Sequence, residues 1–278
     1  MAKEMLILGL GYTGARLAKA LQAQGCTVTG VRRTGGGDTL AFDDAASVRA
    51  AIGRASHILS SVPPDADGAD PVLARYGADI AASGAQWVGY LSSTGVYGDV
   101  GGAWVDESAP IGTGRHSARA EADLGSQALR GGISVFRLPG IYGPGRSALD
   151  RVREGRAHRI DLPDQVFSRV HVDDIVSAIR ASFEGPPGVY NIADDAPCSQ
   201  NTVIEYACRM AGVAPPPLLS LEEANLSPMA RAFYAENRRV ANGRAKRLLR
   251  WQLRYPDYKS GLVVLGAGQR AWLAAKAV

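Results

Sequence analysis

Apolar residues in this chain fall in short continuous runs separated by amphipathic stretches, and the alternation predicts strands and helices in turn. A buried strand over Glu4–Gly9 ends in glycines, and a helix follows over Tyr12–Gln24. Cys26–Arg32, rich in Val and Thr, reads as a second strand, and Gly35–Gly37 as a loop. Thr39–Phe42 is a short strand, Asp44–Gly53 a helix, and Ser56–Val62 a fourth strand stopped by Pro63 and Pro64. A helix over about Pro71–Ser83 and a strand over Gln86–Ser92 come next. Gly98–Gly114 reads as a long loop, Arg115–Leu129 as a helix and Ile133–Leu138 as a sixth strand. Such spacing predicts an α/β fold, a Rossmann-type doubly wound parallel sheet with helices on both faces.

After Pro139 the rhythm breaks, with helices over about Asp174–Phe183 and Gln200–Ala211 and a turn at Pro215–Pro217. The expected division is a dinucleotide-binding core over 1–140. Residues 141–278 then hold the last strands of the sheet interleaved with a small C-terminal substrate lobe. No internal repeat of 20–50 residues is visible.

The chain has 278 residues, 46% of them hydrophobic and 21% charged. That is ordinary globular composition and excludes disorder of the whole chain. No apolar run is long enough to span a membrane. The short run at the start leads straight into a glycine turn, as a strand does, not into a cleavage site. Cys26, Cys198 and Cys208 are odd in number and lack metal-ligand spacing, so a reducing, cytoplasmic setting and no metal site are expected. The net charge of +4 is too small to imply a nucleic-acid partner. It is unevenly placed: nine basic residues lie between Met229 and Ser260 against only Glu236 and Asp257. The segment reads either as a solvated face or as an anion site for substrate, with Arg238 and Arg244 as candidates, since guanidinium matches phosphate bidentately.

The letters MLILGLGYTGARL place Gly9, Gly11 and Gly14 as GxGxxG after a strand and at a helix start. This is the context in which glycines serve a tight turn, close approach to a pyrophosphate and helix–strand packing. The N–H groups at Tyr12, Thr13 and Gly14 would face the phosphates. An NAD site carries an acid near the end of the second strand; here Arg32 and Arg33 stand there, which fits a 2′-phosphate and predicts NADP over NAD. Asp43, after the third strand, is a candidate adenine contact.

WVGYLSSTGVYGD, VFRLPGIYGPGR, FSRVHVDDIVSAI and GVYNIADDAP follow in that order. Together with the glycine loop they make the chain resemble the extended short-chain dehydrogenase/reductases, the NAD-dependent epimerase/dehydratase group acting largely on nucleotide sugars. The resemblance covers about residues 4–195 and continues weakly to about 260. It implies Ser93 as the catalytic hydroxyl, with Ser92 at the cofactor and Thr94 at the substrate. Ser61 and Val62 would lie near the cofactor ribose. Leu138, Pro139 and Gly140 would line the nicotinamide, and Tyr142 the substrate mouth. His171 and Asp174 would open a helix, Asp174 as its cap and His171 as a structural hydrogen-bonder. Family members often dimerise through the helices at about 71–83 and 115–129, which are here Ala-rich with scattered charges and fit either a monomer or a homodimer.

Three departures from the family stand out. The family's Tyr and, four residues on, Lys are missing from PIGTGRHSARAEADL. One alignment puts Thr113 and Ser117 there, another Arg115 and Arg119, and neither pair supplies a proton carrier. Leu8 replaces the first glycine of the family's loop. Thr94 and Gly95 replace the acidic pair of the dehydratases. Substitutes for the acid/base are Tyr97 and Tyr142 on loops at the strand ends, His116, or the paired carboxylates Asp106 and Glu107. Asp79 is a candidate for the family's helical Asn. Two readings follow: an NADP(H)-binding oxidoreductase or epimerase-like enzyme for a sugar or nucleotide-linked small molecule, or a catalytically degenerate NADP(H) sensor.

Overall fold

The structure is a computed structural model that describes residues 3–65, 68–112 and 117–276. The chain runs through β1 (Glu4–Leu8), α1 (Tyr12–Gln22), β2 (Thr27–Arg32), β3 (Thr39–Ala41), α2 (Ala45–Arg54) and β4 (His57–Ser60). Next come α3 (Pro71–Ala82), β5 (Trp87–Ser93), a 3₁₀ turn (Thr94–Tyr97), β6 (Trp104–Val105), α4 (Ser117–Leu129) and β7 (Ile133–Leu138). The second half adds β8 (Gly140–Tyr142), α5 (Ala148–Arg153), β9 (Arg159–Ile160), β10 (Arg169–His171), α6 (Val172–Ala181) and β11 (Gly188–Asn191). It ends with α7 (Gln200–Ala211), β12 (Leu218–Leu219), α8 (Pro228–Phe233), β13 (Arg239–Val240), α9 (Gly243–Leu248) and α10 (Tyr258–Lys276).

Seven strands form one parallel sheet in the order β11-β7-β5-β4-β1-β2-β3. The winding reverses between β1 and β4, where Leu8 pairs with Ser60. The carboxyl ends there frame the crevice in which such sheets bind ligands. β1 explains its own apolar run: Met5 and Ile7 join the core under α1 and α6, while Leu6 and Leu8 join the core under α2, α3 and α4. A strand covered on both faces has no polar side to show.

The helices start where the sequence supplies acceptors. Asp70 caps α3 by accepting from the Val72 and Leu73 N–H groups, with Pro71 in the first turn. Ser147 and Asp150 form a reciprocal capping box on α5, which satisfies two otherwise orphaned donors. A third core joins α5, α7 and α10.

Short elements escaped the sequence pattern. The loop expected over Gly98–Gly114 contains β6, which pairs with β13 from more than a hundred residues away. Two-residue strands leave no periodicity to read. Among the described residues, no helix is long and apolar enough to cross a membrane.

Candidate functional site

The glycine loop is built from three positions with three different surroundings. Gly9 has φ of +96°, and a Cβ there would lie 2.9 Å from both Ser61 Oγ and Val62 Cγ2. The Gly9 and Leu10 N–H groups both donate to the Val31 carbonyl, and Ser61 Oγ donates to the Gly9 carbonyl at 2.5 Å. The turn is thus pinned to β2 and to the exit of β4. A Cβ on Gly14 would meet the Gly9 carbonyl at 2.9 Å, so this glycine lets α1 sit tightly on the turn. Gly11 differs: its Cβ would meet nothing within 4 Å. Gly11 is also the N-cap of α1 and supplies no side-chain cap, leaving the first-turn N–H groups and the positive dipole end open to an anion.

A cleft of about 640 Å³ begins at this loop. Gly11, Tyr12, Thr13 and Ser61 line its first part, Ser92, Ser93 and Thr94 its floor, and Leu138, Pro139 and Gly140 its far wall. Ser93 Oγ accepts from the Gly95 N–H at 3.1 Å, which leaves its own proton for an acceptor in the cleft. The Ser92 hydroxyl donates to Asp123 Oδ2 at 2.7 Å. Arg32, at the end of β2, donates from Nε to the Leu10 carbonyl at 3.2 Å and so folds onto the glycine loop. Arg33 is exposed beside it. Asp43 is held by Arg75 at 2.5 Å.

The catalytic candidates divide. Ser93 lines the cleft, and Tyr97 and Tyr142 do not. Tyr97 is buried; its hydroxyl donates to Asn191 Oδ1 at 2.8 Å and accepts from Arg137 Nη1 at 3.0 Å. Burial pushes its pKa up, against the pull of Arg137. Tyr142 lies edge-on to His171, with its hydroxyl donating to the Asp257 carbonyl at 3.3 Å, and burial raises its pKa strongly. Tyr97 is packed into the protein away from the cleft, whereas Tyr142 lines a smaller cavity beside it. Thr113, Arg115 and His116 lie outside the described residues.

Beneath the cleft floor runs a buried polar network. Arg137 forks onto Asp123, Nε to Oδ2 and Nη2 to Oδ1, both at 3.0 Å. The pair is 3% and 0% exposed. Gln127 and Ser92 donate to the same carboxylate. Through Tyr97 the network reaches Asn191, whose N–H donates to Glu107 Oε1 at 2.7 Å. Glu107 is therefore a half-buried acceptor with a pKa raised by burial, and Asp106 closes a turn on Ser108. Asp79 pairs with Arg49.

Sequence reasoning put the cap of α6 on Asp174, and the structure corrects it. His171 Nδ1 accepts from the Asp173 N–H at 3.2 Å and caps the helix. Burial pushes this imidazole down to about 4, so it is neutral near pH 7. The Asp174 carboxylate instead accepts from the Arg254 and Tyr255 N–H groups at 2.7 and 3.0 Å, tying the distant basic segment to α6.

That segment is mostly spent on structure. Arg238 reaches the cleft but donates to Glu236 and to the Gly98 carbonyl. Arg244 does not line the cleft; it lies over the Tyr190 ring on β11. The cleft draws its other cations from places the motifs did not flag as binding residues: Arg119 in the first turn of α4 and Arg146 after β8. Arg119 occupies the second of the two positions considered for the family's Lys, and it interacts with the Tyr90 hydroxyl. Phe167 and Phe233 stack at 4.4 Å on the same rim; nothing in local sequence joins residues that far apart. Among the described residues no cluster of three metal-ligating side chains occurs.

No family model matches the chain. It is similar to the Escherichia coli protein YeeZ, 27% identical over 252 residues, covering 77% of this chain and 86% of that protein. Among solved structures, a conserved protein of unknown function from Silicibacter pomeroyi is 41% identical with a TM-score of 0.85, covering 96% and 99% of the two chains. A Methylobacillus flagellatus structure assigned to the NAD-dependent epimerase/dehydratases is 26% identical with a TM-score of 0.75, covering 97% and 100%.

Proposed function

The chain belongs to the extended short-chain dehydrogenase/reductase family, the NAD-dependent epimerase/dehydratases, as an atypical member, and from that premise we propose that it is an NADP(H)-binding oxidoreductase or epimerase-like enzyme. Its substrate is a small anionic molecule of the sugar or nucleotide-linked class. One observation carries the reading: a single cleft joins the open N-terminus of α1 at Gly11 to Ser93, Thr94 and the Leu138–Gly140 wall.

The residues present fit the cofactor. Gly11 leaves open the space that a Cβ would fill, and Arg32 and Arg33 stand where a 2′-phosphate needs cations and ribose hydroxyls would need an acid. When bound, NADP(H) supplies hydride chemistry. The chain supplies the rest. The open first turn of α1 would hold the pyrophosphate. Arg119, which lines the cleft at the position considered for the family's Lys, would supply a fixed positive charge toward the cofactor without that residue's ability to give up a proton. Ser93 donates a hydrogen bond to the substrate oxygen and polarises it.

The second reading, an NADP(H) sensor without catalysis, draws on the missing Tyr–Lys pair. One experiment separates the two. NADPH oxidation is followed optically against a panel of keto and aldehyde sugars and their phosphates. The enzyme reading expects turnover that falls at least about a hundredfold in Ser93→Ala, while NADPH affinity holds. Tight NADPH binding with no turnover on any substrate supports the sensor, and turnover untouched by Ser93→Ala removes Ser93 from the chemistry.

A further inference from the structure

Against the Gly140 end of the cleft lies a side cavity of about 100 Å³. The two share Gly140, Ile141, Arg146, Phe167, Ser168 and Phe233 as lining residues, so they lie side by side. Its charge is one-sided. Arg146, Arg151 and Arg169 line it, with Ser147 and Gln200, and among the described residues no carboxylate does. Asp194 and Asp257 act on Tyr142 from nearby but do not line the cavity.

Among the described residues none of the three arginines is held in a close ion pair, although the buried carboxylate of Asp194 lies near enough to Arg169 to act on it electrostatically. Arg169 is buried, with 6% of its surface exposed. It donates from Nη1 to Cys198 Sγ at 2.9 Å and from Nη2 to the Cys198 carbonyl at 3.3 Å, and its guanidinium lies over the Tyr258 ring. A guanidinium has five N–H donors, so three are left over. Arg146 lies over the Tyr12 ring at 5.6 Å. Among the described residues, none of the three forms an ion pair. Arg238, by contrast, is already matched by Glu236.

We propose that this side cavity is an anion subsite, and that the substrate of the cleft is a small molecule whose carboxylate or phosphate head seats among Arg146, Arg151 and Arg169. The proposal rests on the reading of the cleft as a catalytic site and narrows its substrate. Sites for drug-sized ligands run roughly 300–1,000 Å³, and the side cavity is far below that range. It takes a head group, not a nucleoside. The larger cleft falls within the range for one such ligand, and a bound cofactor would take up part of that space. A sugar phosphate or sugar acid therefore suits the remaining space better than a nucleotide sugar.

The test is a set of calorimetric titrations on protein saturated with NADPH, using inorganic phosphate, acetate and UDP as probes. Phosphate or acetate binds, and the tighter of the two identifies the head group. Arg151→Gln weakens it at least tenfold. Arg153→Gln, on the same helix but outside the cavity lining, leaves it unchanged and controls for general surface charge. UDP gains nothing over inorganic phosphate. Arg151 is exposed, so its substitution leaves the fold intact, which a melting curve verifies; Arg169→Lys gives a second variant that keeps a buried cation but loses the fork. The proposal is overturned if neither small anion binds, if Arg151→Gln binds as wild type does, or if UDP binds tenfold tighter than phosphate. Should NADPH itself fail to bind, the same titrations on free protein still read the subsite, so the two readings fail separately.

Discussion

The glycine loop and the far rim of the cleft both sit at the carboxyl ends of the same sheet, yet they are assembled in opposite ways. The loop is local. Gly9, Gly11 and Gly14 span six residues, and their neighbours are Val31 on β2 and Ser61 just past the end of β4, the two strands flanking β1. The rim is long-range: Ser93, Arg119, Arg146, Phe167 and Phe233 come from five separate segments. A function held within one turn persists as a motif, whereas a function spread over five segments depends on tertiary packing. The contrast separates residues that serve the fold from residues left open for a ligand.

The largest expected effect tests the support beneath the rim. Asp123→Ala leaves the Arg137 guanidinium buried without its carboxylate, and removing one partner of a buried pair costs about 3–5 kcal/mol. Chemical denaturation measures it, and a loss below about 1 kcal/mol contradicts the network as described.

The glycine loop offers the next. Gly11→Val puts a side chain into space that no protein atom uses, so the melting temperature holds while the NADPH dissociation constant rises by about a hundredfold, or about 2.8 kcal/mol at 1.4 per decade. Gly14→Ala does the reverse in kind: a Cβ against the Gly9 carbonyl costs about 1–3 kcal/mol of stability, as overpacking does. If both variants lose stability equally, the distinction between the two glycines is wrong.

Cofactor choice comes third. Arg32→Ala with Arg33→Ala weakens NADPH by about tenfold, near 1.4 kcal/mol, and leaves NADH within twofold. Equal losses for both cofactors contradict the assignment.

The smallest effect concerns pH. Burial raises the Asp194 carboxyl to about 7. A raised acid stabilises the fold where it is protonated, below its ordinary range near 4. That contribution is lost progressively as pH rises through about 7. His171, pushed down to about 4, acts oppositely: its contribution is present above 6.5 and is lost as pH falls through about 4. Asp194→Asn therefore flattens the decline in stability between about pH 4 and 7, as read from denaturation midpoints. An unchanged slope removes Asp194 as its source.

What was legible in the sequence follows the same division. The parallel sheet could be read because each buried strand is a continuous apolar run closed by glycine or proline, and Gly9 to Gly14 could be read because their spacing is itself the motif. Ser93 came from the ordered resemblance. Tyr97 and Tyr142 both lie on strand-end loops, but a loop position does not say which way a ring turns: Tyr97 turns into the core, whereas Tyr142 borders the side cavity. Arg244 was suggested by a basic run that the fold uses to cover Tyr190 and to tie down α6. Arg119 was visible as an awkward match for Lys; its place in the cleft follows from how α4 packs on β5 and β7. The Phe167–Phe233 stack and the side cavity arise only when β10, α8 and α10 meet.

The central claim is a cofactor site that prefers the 2′-phosphate. Parallel calorimetric titrations of the wild-type protein with NADPH and NADH test it most directly. NADPH binds at least about tenfold tighter than NADH, some 1.4 kcal/mol. Equal or tighter binding of NADH would contradict the role given to Arg32 and Arg33, and no binding of either would contradict the cofactor site itself.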